Sequence, residues 1–127
     1  MTKTQKIMIV DDEADIRETL SYFFQSRGYE TIECHDGLHA WECLNQSTAP
    51  SIVLLDLSMP RMNGHQLLDQ LKNHQELKKI PVIVVSALAD TIEETPGIAT
   101  LKKPFSLEQL HNLISMHTRI ESLEKMI

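Results

Sequence analysis

Cysteine is scarce in this chain, with Cys34 and Cys43 the only two in 127 residues. They lack a paired metal-ligand spacing and a disulfide-dense context. That excludes a stapled secreted scaffold or a zinc ribbon and leaves the reading of reduced, buried thiols. Also missing are a signal-peptide pattern and any twenty-residue apolar run, so no membrane partner is expected and the expected location is cytoplasmic. No Lys/Arg-rich run or basic helix face occurs, and twelve basic residues against eighteen acidic ones give a formal charge of −6. Phosphate neutralisation supplies most non-specific affinity for nucleic acid, so direct binding of DNA or RNA is not expected and any DNA output would need another domain. The six histidines, His35, His39, His65, His74, His111 and His117, are scattered without metal-ligand spacing and read as solvated or partly packed imidazoles. Internal repeats and low-complexity segments are absent too.

What is present is an ordinary folding composition, 42% hydrophobic and 24% charged, in a length that supports one core and not two. Three apolar runs stand out, and two of them end in carboxylates. Ile7-Met8-Ile9-Val10 leads into Asp11-Asp12, and Ser51-Ile52-Val53-Leu54-Leu55 leads into Asp56. Pro81-Val82-Ile83-Val84-Val85 ends in Ser86, and a shorter run, Ala99-Thr100-Leu101, leads into Lys102-Lys103-Pro104-Phe105. Buried strands end in turns, so these ends would gather three carboxylates, a hydroxyl and an ammonium at one rim of a sheet. A divalent cation and an oxyanion both fit such a rim. Helix caps and turn formers are the plainer reading of each acid taken singly, Asp12 near a helix start above all.

Between the runs the periodicity turns helical. Ile16, Leu20, Phe23 and Phe24 share one face before Gly28 stops the first helix, and Tyr29 to Cys34 reads as a second strand. His35 to Leu44 reads as the second helix, with Ala40, Trp41 and Leu44 inward. A third helix, capped by Asn63, would bury Leu67, Leu68 and Leu71. A final helix would start near Ser106 and run toward Ile127. Strands alternating with helices predict a parallel sheet covered on both faces. Five such units suggest a flavodoxin-like doubly wound five-stranded sheet of order 2-1-3-4-5, whose switch point lies at the carboxyl ends of strands 1 and 3. Asp11, Asp12 and Asp56 fall there.

At this point the chain resembles the receiver domain of bacterial response regulators. The matching residues are Val10-Asp11-Asp12-Glu13, Asp56-Leu57-Ser58-Met59-Pro60-Arg61-Met62-Asn63-Gly64, Val85-Ser86-Ala87 and Lys103-Pro104-Phe105. Their order matches as well, with 43 residues between Asp12 and Asp56 and 29 between Asp56 and Ser86. The resemblance implies a two-component phosphoacceptor: Asp56 takes a phosphoryl group from the phosphohistidine of a histidine kinase or histidine phosphotransfer protein. It implies Mg²⁺ held by Asp11, Asp12, Asp56 and the Ser58 carbonyl, a cation that takes about six oxygens at about 2.1 Å. Lys103 and Ser86 would contact the other phosphoryl oxygens, the small Ala87 would leave access to the phosphate, and Lys103-Pro104 would be cis. Gly64 would spare a crowded backbone and Pro104 would be structural. Such a domain would act on itself and turn over no outside substrate, so it is not expected to be an enzyme.

Two departures bear on output. Thr100 stands where the family usually has the aromatic half of its switch, the other half being Ser86. Sixteen residues separate Ser86 from Lys103, fewer than the family's usual spacing by roughly one to one and a half helical turns, which predicts a short or remodelled fourth helix. A pseudo-receiver that binds partners without phosphate is therefore the alternative reading. A Mg²⁺-dependent phosphohydrolase is a third, weakened because Ser58 stands where such enzymes place a second acid. The receiver is expected to span 1–119, with 120–127 extending its last helix. There Leu107, Leu110, Ile114 and His117 would face the sheet, while Leu113, Met116, Ile120, Leu123 and Ile127 follow an a/d spacing that would suit a linker or a homodimer.

Overall fold

The apolar runs become strands whose side chains alternate between two cores. The computed structural model describes residues 5–46, 49–57, 64–87 and 97–126, with side chains described as far as residue 118. Its elements are β1 (Lys6–Val10), α1 (Ala14–Ser26), β2 (Glu30–Cys34), α2 (Gly37–Gln46), β3 (Ile52–Leu55), α3 (Gly64–Lys72), a 3-10 turn (Leu77–Lys79), β4 (Val82–Ser86), β5 (Ile98–Lys102) and α4 (Leu107–Met126). All strand pairs are parallel and the sheet order is β2-β1-β3-β4-β5, as the alternation of units predicts.

Because strand side chains alternate, β1 sends Met8 and Val10 to one face and Ile7 and Ile9 to the other. The first face packs with Val53, Leu55 and Val84 against Ala40 and Leu44 of α2 and Leu67, Leu68 and Leu71 of α3. The second packs with Ile52, Leu54, Ile83 and Val85 against Leu20 and Phe24 of α1 and Leu110 and Ile114 of α4. Covered on both sides, β1, β3 and β4 need unbroken apolar sequence, which is why they are conspicuous in the chain. The edge strand β5 is only half-buried from Ile98 to Leu101.

Local signals set the boundaries. Gly28 takes φ +91°, a left-handed conformation that ends α1 and is easiest for glycine. The second helix starts two residues later than the apolar spacing suggests, because Asp36 caps it: its Oδ1 accepts the His39 N–H at 2.8 Å. Ser106 and Gln109 form a reciprocal cap at the start of α4, with Gln109 N–H donating to Ser106 Oγ at 3.1 Å and Ser106 N–H to Gln109 Oε1 at 2.9 Å. The expected Asn63 cap and the expected short fourth helix lie outside the described residues.

Leu113 corrects the sequence reading of α4. It packs against the α1/α4 core instead of joining Met116 on an outer stripe, whereas Met116 is 55% exposed. Among the described residues, no helix is long and apolar enough to cross a membrane.

Candidate functional site

Asp11, Asp56 and Lys103 each follow directly on a strand, Ser86 is the last residue of β4, and the sheet's hydrogen-bond ladder continues past the strand ends. Asp11 N–H donates to the Cys34 carbonyl at 3.1 Å, Asp56 N–H to the Val10 carbonyl at 3.0 Å, and Lys103 N–H to the Ser86 carbonyl at 3.1 Å. The backbone thus fixes these positions to within the stiffness of the sheet itself. Asp11, Asp56 and Ser86 are 2%, 5% and 3% exposed, while Asp12 faces solvent.

The carboxylates of Asp11, Asp12 and Asp56 each offer an oxygen, and these three lie within 4.8 Å of one another. Lys103 reaches them from β5, its Nζ lying 3.4 Å from both Asp11 Oδ2 and Asp56 Oδ2. Burial pushes the Asp11 pKa up; the Glu13 N–H at 2.9 Å and the Lys103 charge pull it down, and the Asp56 charge adds to the rise. For Lys103, burial disfavours the charge, but the attraction of Asp11 and Asp56 prevails and its pKa is raised. The arrangement therefore concentrates negative charge that one ammonium only partly balances. An all-oxygen donor set with one carboxylate open to solvent fits a hard divalent cation such as Mg²⁺.

The receiver family model matches residues 7–115. The chain belongs to the response regulator receiver domain family. It is 31% identical to the regulatory protein AtoC of Escherichia coli (strain K12) over 132 residues, which take in 100% of this chain and 28% of AtoC. It is 29% identical to sporulation initiation phosphotransferase F of Bacillus subtilis (strain 168), covering 93% of this chain and 97% of that protein. Among solved structures, chemotaxis response regulator CheY4 of Vibrio cholerae superposes with a TM-score of 0.76 at 25% identity, covering 91% of this chain and 99% of that one. The chain thus spans little more than a quarter of one relative and nearly all of others.

Around the receiver's acidic pocket, Gly64 opens α3 with its N–H donating to the Leu57 carbonyl at 2.9 Å. A Cβ at Gly64 would collide with the Asp56 carbonyl oxygen and the Leu57 Cα, so the helix can approach the backbone just after Asp56 only as glycine. The Lys103-Pro104 bond is cis. Ala87 is exposed beside Ser86, and Thr100 is half-buried on β5, opposite Val84. Ser58, expected to offer its carbonyl to the metal, lies outside the described residues.

Capping does not account for Asp12: the residue at the cap of α1 is Glu13, with no side-chain cap bond, and Asp12 lies in the loop ahead of it. The sequence reading missed Arg17. This arginine reaches back from α1 to donate to the Asp11 carbonyl at 2.9 Å, and its Nε lies 3.4 Å from Glu33 Oε1 on β2. Helical periodicity carries no sign of that contact, because it runs from a side chain to a loop carbonyl. The only hint is a cation placed one turn inside the helix that follows two acids.

Proposed function

We propose that this receiver accepts a phosphoryl group on Asp56 from the phosphohistidine of a histidine kinase or phosphotransfer protein and alters partner binding as a result. The observation that carries the reading is a buried carboxylate, Asp56, held between a lysine ammonium and two further carboxylates at the carboxyl edge of the sheet. One Asp56 oxygen would attack phosphorus as the phosphorus–nitrogen bond to the donor imidazole breaks; the electron pair leaves with that imidazole. A carboxylate nucleophile has no proton to give up, so the step calls for no general base. Lys103 would donate to a phosphoryl oxygen, and the Ser86 hydroxyl, at the end of the adjacent strand, to another. Asp11, Asp12 and Asp56 would hold Mg²⁺, which supplies charge neutralisation to two anions brought together.

Hydrolysis of the acyl phosphate would reset the domain, a reaction on itself and not turnover of an outside substrate. The partners that read the change belong to chemistry outside this domain, whether effector domains or separate proteins. Thr100 at the usual aromatic switch position favours a second reading, a pseudo-receiver that binds without phosphate.

The test is the intact mass of the protein after incubation with acetyl phosphate and Mg²⁺, then with a phosphorylated histidine donor, beside Asp56→Asn and a chelator control. Gain of one phosphoryl group only in the unaltered, Mg²⁺-containing sample supports the phosphoacceptor. No gain from either donor favours the pseudo-receiver.

A further inference from the structure

Asp12 is the exposed member of the carboxylate trio, and the peptide unit that leads into it begins at the Asp11 carbonyl. That carbonyl accepts Arg17 Nη1–H at 2.9 Å, while the Asp11 N–H on the other side of the same residue is held by the Cys34 carbonyl at 3.1 Å. Arg17 is itself steered by Glu33, 3.4 Å from Nε, and its side chain is only 17% exposed. The guanidinium thus ties the β1–α1 loop, α1 and β2 into one unit. A planar fork meets two acceptors in different directions in a way a single ammonium does not.

We propose that Arg17 is a positioning residue for the divalent-cation site: by clamping the Asp11 carbonyl it fixes the plane of the Asp11–Asp12 peptide and hence the direction in which the Asp12 carboxylate points. The inference rests on the reading of Asp11, Asp12 and Asp56 as cation ligands. Helix α1 does not need the guanidinium to form, since the Arg17 N–H already donates to the Glu13 carbonyl at 3.0 Å. Groups that orient metal ligands without touching the metal alter affinity out of proportion to their effect on folding.

The experiment is a calorimetric Mg²⁺ titration of the unphosphorylated protein, with urea unfolding of each variant alongside. Arg17→Met keeps the aliphatic stem and removes the fork; it is expected to raise the Mg²⁺ Kd about 5- to 10-fold, with Arg17→Lys between it and the unaltered protein. Ser21→Ala is the comparison. It removes a 2.6 Å hydrogen bond to Thr31 on the same α1–β2 seam and is expected to lower the urea midpoint while leaving the Kd unchanged within about twofold. A folded Arg17→Met or Arg17→Lys that binds Mg²⁺ as the unaltered protein does overturns the proposal. So does a rise in Kd for Ser21→Ala equal to that for Arg17→Met, which would make the effect one of general stability. Failure of the unaltered, folded protein to take up Mg²⁺ removes the cation-site reading itself, a result distinct from the other two.

Discussion

Asp11 is nearly inaccessible yet ionisable, and it shares its pocket with two other carboxylates. Burial raises its pKa from the ordinary 3.8, so the folded chain holds that proton more tightly than the unfolded chain does. The sign follows: below 3.8 the group is protonated in both states and has no effect, and as pH rises through its raised pKa the ionisation costs folding stability, after which the cost is constant. In metal-free buffer Asp11→Asn, which can still accept the Glu13 N–H, is expected to show a higher urea midpoint than the unaltered protein. The gap should widen with pH across that window and then level off; a pH-independent gap would count against burial as its cause. Gly64 is sensitive for a steric reason. Gly64→Ala puts a methyl group into the backbone after Asp56, an overpacking defect expected to cost about 2–3 kcal/mol in urea unfolding.

Among the elements, those buried on both faces were legible and those at an edge less so. Ile7 to Val10, Ile52 to Leu55 and Val82 to Val85 are continuous apolar runs because helices cover both sides of them, and their carboxyl ends gave Asp11, Asp12, Asp56 and Ser86 directly. The strand at the edge, β5, mixes Thr100 and Lys102 with apolar residues, and periodicity alone placed it only approximately. Two kinds of information were not readable. The start of α2 depends on a cap by Asp36, and the Arg17 contact depends on how α1 is laid beside β2; neither repeats along the chain. In α4, Leu113 was assigned outward by heptad spacing, yet the core takes it because a helix on a sheet buries a wider stripe than a two-stranded seam. That difference can be measured by truncation. Leu110→Ala, at 0% exposure, is expected to cost about 2–5 kcal/mol, and Met116→Ala, in solvent, no more than about 0.5 kcal/mol in dilute protein. An equally large loss at Met116 that grows with protein concentration would reveal that a second copy covers it.

For the molecule as a whole, the formal charge of −6 complicates any statement about a cation, since every salt relieves some self-repulsion in an acidic chain. A site-bound ion must be separated from that general effect. Mg²⁺ that binds only the folded state stabilises it by mass action, about 1.4 kcal/mol at ten times its Kd, or a rise in Tm of about 4–6 °C for a domain of this length. Sodium chloride at the same ionic strength screens the exposed acids but has no multivalent attraction to three converging carboxylates, so its effect is expected to be smaller. Asp12→Asn removes the solvent-facing carboxylate while leaving the two buried acids and Lys103 in place, and it should lose most of the Mg²⁺ increment and little of the sodium chloride one. Chelator should return the unaltered protein to its metal-free Tm. Equal increments from the two salts, or an increment that survives Asp12→Asn, would mean that the acids act as a diffuse negative surface. The metal-assisted phosphoryl transfer drawn from their geometry would then lose its support.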